Sequence, residues 1–204
     1  MDKNKKSIGI YTAVFGLTAN FLLFLLKLYV GLSSNSLSVY CDAVNNLGDT
    51  FTCIIAIAGF AISAKLSKRK GSRLQALCSF IIGTAVAVIG VYFAYNGIER
   101  MMYPTAVAFS VKYAVMVGLT IIVKVIMGIV YTVINKKLNS SMLKALVLDS
   151  YLDCAITAAA LLGFSITVKV NFALDGVIGI VIGIIVAVGS GKTAIEQAKY
   201  LIND

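Results

Sequence analysis

The stretch "YCDAVNNLGDTF", residues 40–51, sets two aspartates and two asparagines inside an otherwise apolar run. A carboxylate at the centre of a membrane helix costs about 2.5–3.5 kcal/mol on insertion scales, so such groups imply partners and a function.

The rest of the chain makes the membrane setting plain. Of its 204 residues 59% are hydrophobic and 13% charged, with a mean hydropathy of +0.92. Soluble domains are nearer about half apolar and about a quarter charged. The net charge of +9 does not form a nucleic-acid stripe; the basic residues cluster between apolar runs, as membrane orientation signals do. Six segments are long enough to span a bilayer at about 20 residues each, near 8–31, 38–63, 75–98, 106–134, 141–165 and 173–198. They lack barrel-like alternation, so the sequence predicts an all-α membrane protein of six transmembrane helices forming a single domain over residues 1–204.

Thirteen basic residues fall on one side of these spans: Lys3, Lys5, Lys6, Lys65, Lys68, Arg69, Lys70, Arg73, Lys136, Lys137, Lys144, Lys192 and Lys199. Three fall on the other, Arg100, Lys112 and Lys169, so both termini are expected in the cytoplasm of a cell-membrane protein. The first span is too long for a signal-peptide core and reads as a retained helix. Cys41, Cys53, Cys78 and Cys154 stand singly and predict no disulfide framework.

Four of the nine acids lie well inside predicted spans: Asp42, Asp49, Asp149 and Asp153. Asn45 and Asp49 are four apart, as are Asp149 and Asp153, so each pair shares one helix face. At about 1.5 Å per residue both pairs reach a similar depth near the bilayer middle. Three carboxylates and one amide carbonyl there would make a four-oxygen site for a divalent cation.

Several further residues stand beside that site. Asp42, two turns outward of Asp49, is a proton-relay or exit-path candidate, or else an acid that packs its helix or pairs with Lys27. Lys27, near the outer end of the first helix, is expected to snorkel. Lys124, deep in the fourth helix, either neutralises part of the site's charge or lines a water-filled cavity. Cys41 and Cys53 flank the Asn45–Asp49 face as small fillers, with a thiolate contribution to the site as the alternative. "GSGKT", residues 189–193, lacks the first glycine of a phosphate loop, because Val186 stands there. With Gly176, Gly179 and Gly183 these glycines are expected to serve close helix packing. No nucleophile–base pair or cofactor motif is present, so an enzyme is not expected.

"SLSVYCDAVNNLGDTFT" (36–52) resembles the second-helix signature of the cation diffusion facilitator family, where a Ser-x-Ala-Leu-x-Ala-Asp-Ala run leads to a metal-binding His/Asp/Asn-x-x-x-Asp pair. "NSSMLKALVLDSYLDCAIT" (139–157) resembles the fifth-helix segment, and Pro104 and "LDG" (174–176) extend the likeness over nearly the whole chain. The resemblance implies a homodimeric six-helix exporter of divalent metal, working against protons, with its transport site on Asn45, Asp49, Asp149 and Asp153. Zinc-moving members usually carry a His in these pairs, and this chain has none. Asn-x-x-x-Asp with Asp-x-x-x-Asp resembles the manganese-exporting branch, and oxygen-only ligation suits a harder cation such as Mn²⁺. A Zn²⁺, Cd²⁺ or Fe²⁺ exporter is the alternative. Family members usually continue into a small cytoplasmic domain where this chain reaches "AIEQAKYLIND", so either the sequence is cut there or the protein is naturally short.

The expected mechanism is alternating access. Three crowded carboxylates without a metal cannot all stay ionised, so protons and metal compete for the same oxygens. Helices 1–3 and 4–6 would be repeats of inverted topology. Two rivals from other classes are a cation channel, although the acids form no ring, and a proton-coupled organic-cation carrier, although the faces around Asn45 and Asp153 are not rich in aromatics.

Overall fold

A computed structural model describes residues 3–62, 68–138, 141–166 and 174–203. Within them lie six helices: α1 (Lys3–Ser34), α2 (Leu37–Ile62), α3 (Lys68–Met102), α4 (Val111–Leu138), α5 (Ser141–Ile166) and α6 (Leu174–Asn203). Among the described residues, five are long and apolar enough to cross a membrane by length and composition, and α2 is not among the five. The reason lies in the opening stretch, since Asp42, Asn45, Asn46, Asp49, Thr50 and Thr52 all lower its apolar content. Outward-facing positions around the bundle are apolar and exposed, among them Leu22, Leu32, Val88, Val91, Leu119, Ile122 and Ile184. Water would not tolerate so large an apolar surface.

Helix ends differ from the apolar limits of the sequence, because the backbone stays helical into polar ground. The larger correction is at the fourth span. Residues 104–110 are not helical, and α4 starts at Val111 rather than 106. Pro104 lacks a backbone donor, and the segment after it lies against the α1–α2 turn instead. The Ala108 amide donates to the Ser34 carbonyl at 2.8 Å, while Val107 and Phe109 pack with Val30, Val39, Val117 and Phe164. Of the basic residues that predicted orientation, Lys65 and Lys169 fall outside the described residues, as do the side chains of Lys3, Lys5, Lys6, Lys68, Arg69, Lys70 and Lys144, and that of Cys78.

The α1–α2 turn is tight. Asn35 adopts φ 52°, and the amides of Asn35 and Ser36 return to the carbonyls of Leu32 and Gly31, closing α1 with a Schellman motif. Ser36 then caps α2, accepting from the Val39 amide at 3.4 Å. The Asp175 carboxylate adds a second cap by accepting from the Leu37 amide at 2.6 Å and the Ser36 hydroxyl at 2.6 Å. Arg100 ties this knot to α3, donating to Asp175 at 2.7 Å and to the Asn35 carbonyl at 2.6 Å. Thus α1, α2, α3 and α6 are locked together at the end opposite the termini.

Along α3 and α6 the backbones nearly touch. Gly83, Gly90 and Gly97 recur every seven residues on α3 and face Ser190, Gly183 and Gly176 on α6. A Cβ on Gly90 would lie 2.6 Å from the Ala187 nitrogen and 2.8 Å from the Gly183 carbonyl oxygen. Gly189 and Gly191 make no such approach, so the expected packing role holds for Gly176 and Gly183, and for Gly179 against Leu37 of α2, but not for them. Gly90→Ala is expected to destabilise the protein by about 1–3 kcal/mol through overpacking, whereas Gly189→Ala, with nothing within 4 Å of its added Cβ, should be neutral. Thermal unfolding in detergent checks this; equal midpoints for the two variants would refute the close-contact account.

Candidate functional site

The buried stripe of α1 runs Ala13, Gly16, Asn20, Leu23, Lys27, Val30 and Ser34, alternating steps of three and four. Asn20 and Lys27 are therefore on one face two turns apart. On α2, Asp49 and Asp42 are also two turns apart, and the helices run antiparallel. Two polar levels result, with Asn20 beside Asp49 and Lys27 beside Asp42. The stripe of α4, Val117, Thr120, Lys124, Met127 and Tyr131, brings a second lysine to the deeper level.

At that deeper level α2 and α5 meet. The Lys124 ammonium donates to Asp49 Oδ2 at 2.9 Å, to Asn20 Oδ1 at 2.7 Å and to Asp153 Oδ2 in a very close contact. An ammonium has three protons, and here all three have acceptors. Asn45 Nδ2 donates to Asp153 Oδ1 at 2.6 Å. Asp149 lines the same cavity, half-buried, one turn toward the terminal end.

The sequence-predicted quartet thus gathers, but not as a cage of four oxygens. Asn45 turns its amide nitrogen rather than its carbonyl toward Asp153, and a lysine ammonium sits where the carboxylates converge. Among the described residues, no three Asp, Glu or Cys side chains stand in a metal-holding arrangement. A cavity of about 400 Å³ opens on the other side of the quartet, between α2, α3, α5 and α6. From Asn45, Asp49, Asp149 and Asp153 it runs past Thr52, Ser79, Gly83 and Gly189 to Thr193, toward the end that carries the termini. Lys124 is not in its wall and approaches the carboxylates from behind.

At the outer level the ionic groups are sealed from solvent. Lys27 Nζ lies 2.8 Å from Asp42 Oδ2 and donates to the Thr157 hydroxyl at 2.8 Å, and Thr157 in turn donates to Asp42 Oδ1 at 3.2 Å. Both ionic side chains are 0% exposed. Lys27 therefore does not snorkel: its place on the buried stripe of α1 aims it at α2. Of the readings for Asp42, pairing with Lys27 is what the geometry contains. Cys41 and Cys53 are buried in apolar clusters and line no part of the cavity. Sequence reasoning passed over Asn20, although an asparagine on the buried stripe two turns from Lys27 is the signal that locates it. Asp175, which the sequence offers only within the "LDG" likeness, caps α2 instead.

The family model for the cation efflux transmembrane domain matches residues 13–202. An uncharacterized transporter of Methanocaldococcus jannaschii is 30% identical over 113 residues, covering 53% of this chain and 39% of that protein. A cadmium, cobalt and zinc/H(+)-K(+) antiporter of Bacillus subtilis is 30% identical over 82 residues, covering 38% of this chain and 26% of that protein. Its counterpart in Bacillus velezensis is 29% identical over the same length. The matched stretches thus span well under half the length of these curated relatives.

Lys27→Met would leave Asp42 as an uncompensated buried charge, and the expected loss of stability is about 3–5 kcal/mol. Adding Asp42→Asn should recover much of it. Unfolding of the single and double variants in detergent is the measurement, and a single variant within about 1 kcal/mol of the parent would show that the pair is not desolvated.

Proposed function

We propose the following from the premise that the chain belongs to the cation efflux transmembrane domain family, a family of transporters and not of enzymes: it exports divalent metal cations from the cytoplasm by alternating access, as a metal/proton antiporter. The observation that carries this reading is the meeting of Asp49 from α2 and Asp153 from α5 around one cation, the Lys124 ammonium. A site that gathers two carboxylates around a positive charge in a protein interior has the chemistry to hold another.

Asn45, Asp49, Asp149 and Asp153 are the transport ligands. Mn²⁺ is the favoured cargo, because oxygen donors without imidazole or clustered thiolate suit a hard cation. Metal arrives through the cavity that extends toward the terminal end, which lies in the cytoplasm, with α2 serving as a sixth membrane span. The Lys27–Asp42–Thr157 level and the Asp175–Arg100 knot close the opposite route, and release requires both α1–α2 levels to part. Protons taken up by the same oxygens after release return the carrier, so the two cargoes exclude one another. The protein acts as a homodimer in the cell membrane.

A second reading, export of Zn²⁺, Cd²⁺ or Co²⁺, is favoured by the named substrates of the Bacillus relatives. Proteoliposome transport of Mn²⁺, Zn²⁺ and Cd²⁺ under an imposed pH gradient separates the two. Asp49→Ala and Asp153→Ala are each expected to reduce flux to the level of protein-free vesicles. Flux that survives both substitutions would remove the transport site from α2 and α5, and flux indifferent to the gradient would remove the proton coupling.

A further inference from the structure

We propose that Lys124 is a tethered cation that competes with the transported metal for Asp49 and Asp153, and that Asn20 is the acceptor to which its ammonium withdraws when metal binds. The inference rests on the metal-export reading above and adds a residue that decides how strongly the site holds its cargo.

The geometry has two sides. From the α1–α4 side, Lys124 Nζ reaches Asn20 at 2.7 Å, Asp49 at 2.9 Å and, more closely, Asp153. From the other side, the cavity wall includes the same two carboxylates together with Asn45 and Asp149. Each oxygen of Asp153 already accepts one donor, the ammonium on one and Asn45 Nδ2 on the other. A metal ion approaching through the cavity must share each Asp153 oxygen with one of those donors, and binds the bare carboxylate more strongly once a donor leaves. Rotation of the Asn45 amide releases one oxygen and turns a carbonyl toward the cavity. Retreat of the ammonium releases the other and relieves the repulsion between two cations a few ångström apart.

Asn20 gives the ammonium a place to retreat. It is buried on α1, its carbonyl oxygen already accepts from Lys124, and it bears no charge for which metal would compete. Without an acceptor of this kind a displaced ammonium would be left in a low-dielectric interior with its protons unpaired, which is costly. Charge also fits. With metal bound, three ionised carboxylates and one ammonium carry two net negative charges, the complement of one divalent ion. Once the metal has gone, the ammonium returns between Asp49 and Asp153 and keeps them from facing one another unscreened while the helices move.

Mn²⁺ binding to the full chain in detergent, measured by titration calorimetry at one fixed pH, tests the competition. Lys124→Met should bind Mn²⁺ about tenfold or more tightly than the parent, as expected when one like charge is removed at close range. Asn20→Ala should bind it severalfold more weakly, because the ammonium loses its alternative acceptor. A purely structural role would weaken binding in both variants, and equal or weaker binding by Lys124→Met would overturn the inference. If Lys124→Met does not fold, Asn20→Ala decides alone: unchanged or tighter binding sinks the proposal. Asp49→Ala in the same titration isolates the underlying reading. If the parent's Mn²⁺ binding survives that change, the transport-site assignment fails. If binding is lost there but Lys124→Met gives no gain, only the tethered-cation inference fails. If neither the parent nor Lys124→Met binds Mn²⁺, both fall.

Discussion

An ionised carboxylate surrounded by packed helices needs a positive partner within a few ångström, because separating the two charges in a low-dielectric interior costs far more than it would in water. That constraint organises the centre of this bundle. Asp49 and Asp153 share the Lys124 ammonium, and Asp42 has Lys27. Each lysine comes from one helix and each set of acceptors from others, so the ion pairs fix how α1 and α4 are rotated against α2 and α5. A rotation of α1 by one residue, about 100°, would carry Lys27 toward lipid and leave Asp42 bare.

The two sides of the molecule are built on different physics. Between α3 and α6, small residues bring the backbones into contact, and dispersion with close packing holds the pair where no water is present to drive association. Between α2 and α5, long polar side chains hold the helices through charge-assisted hydrogen bonds and a cavity lies alongside. A contact made of backbone and glycine has one geometry, whereas a contact made of ammonium and carboxylate can exchange partners. Movement is therefore expected at the second seam with the first acting as a rigid support. The knot of Asp175, Arg100, Asn35 and Ser36 sits between these regimes, because it joins the α3–α6 pair to the first turn of α2.

Much of this was legible in the residues. Four-residue spacing places Asn45 with Asp49 and Asp149 with Asp153, since 3.6 residues per turn leaves no other choice of face. Matching depth implies that Asp49 and Asp153 can meet, and they do. Lys27 was misjudged because its distance from the helix end is compatible with reaching water, while its rotational position points inward. The segment at 104–110 reads as the start of a span because its apolar side chains suit one, and yet Val107 and Phe109 pack beside the α1–α2 turn as non-helical chain.

What the sequence by itself determined is the helical membrane architecture, the placement of acids on α2 and α5, and the side of each helix on which they stand. These follow from period and hydropathy, which are local properties of a chain. What only the tertiary structure decided is which cation those acids hold and from which direction. A lysine in an apolar helix carries the same cost wherever it points, and nothing local says whether it will snorkel, line water or find a carboxylate. Packing of α1 and α4 against the α2–α5 seam settles that, bringing Lys124 to Asn20, Asp49 and Asp153 across chain separations of 104, 75 and 29 residues.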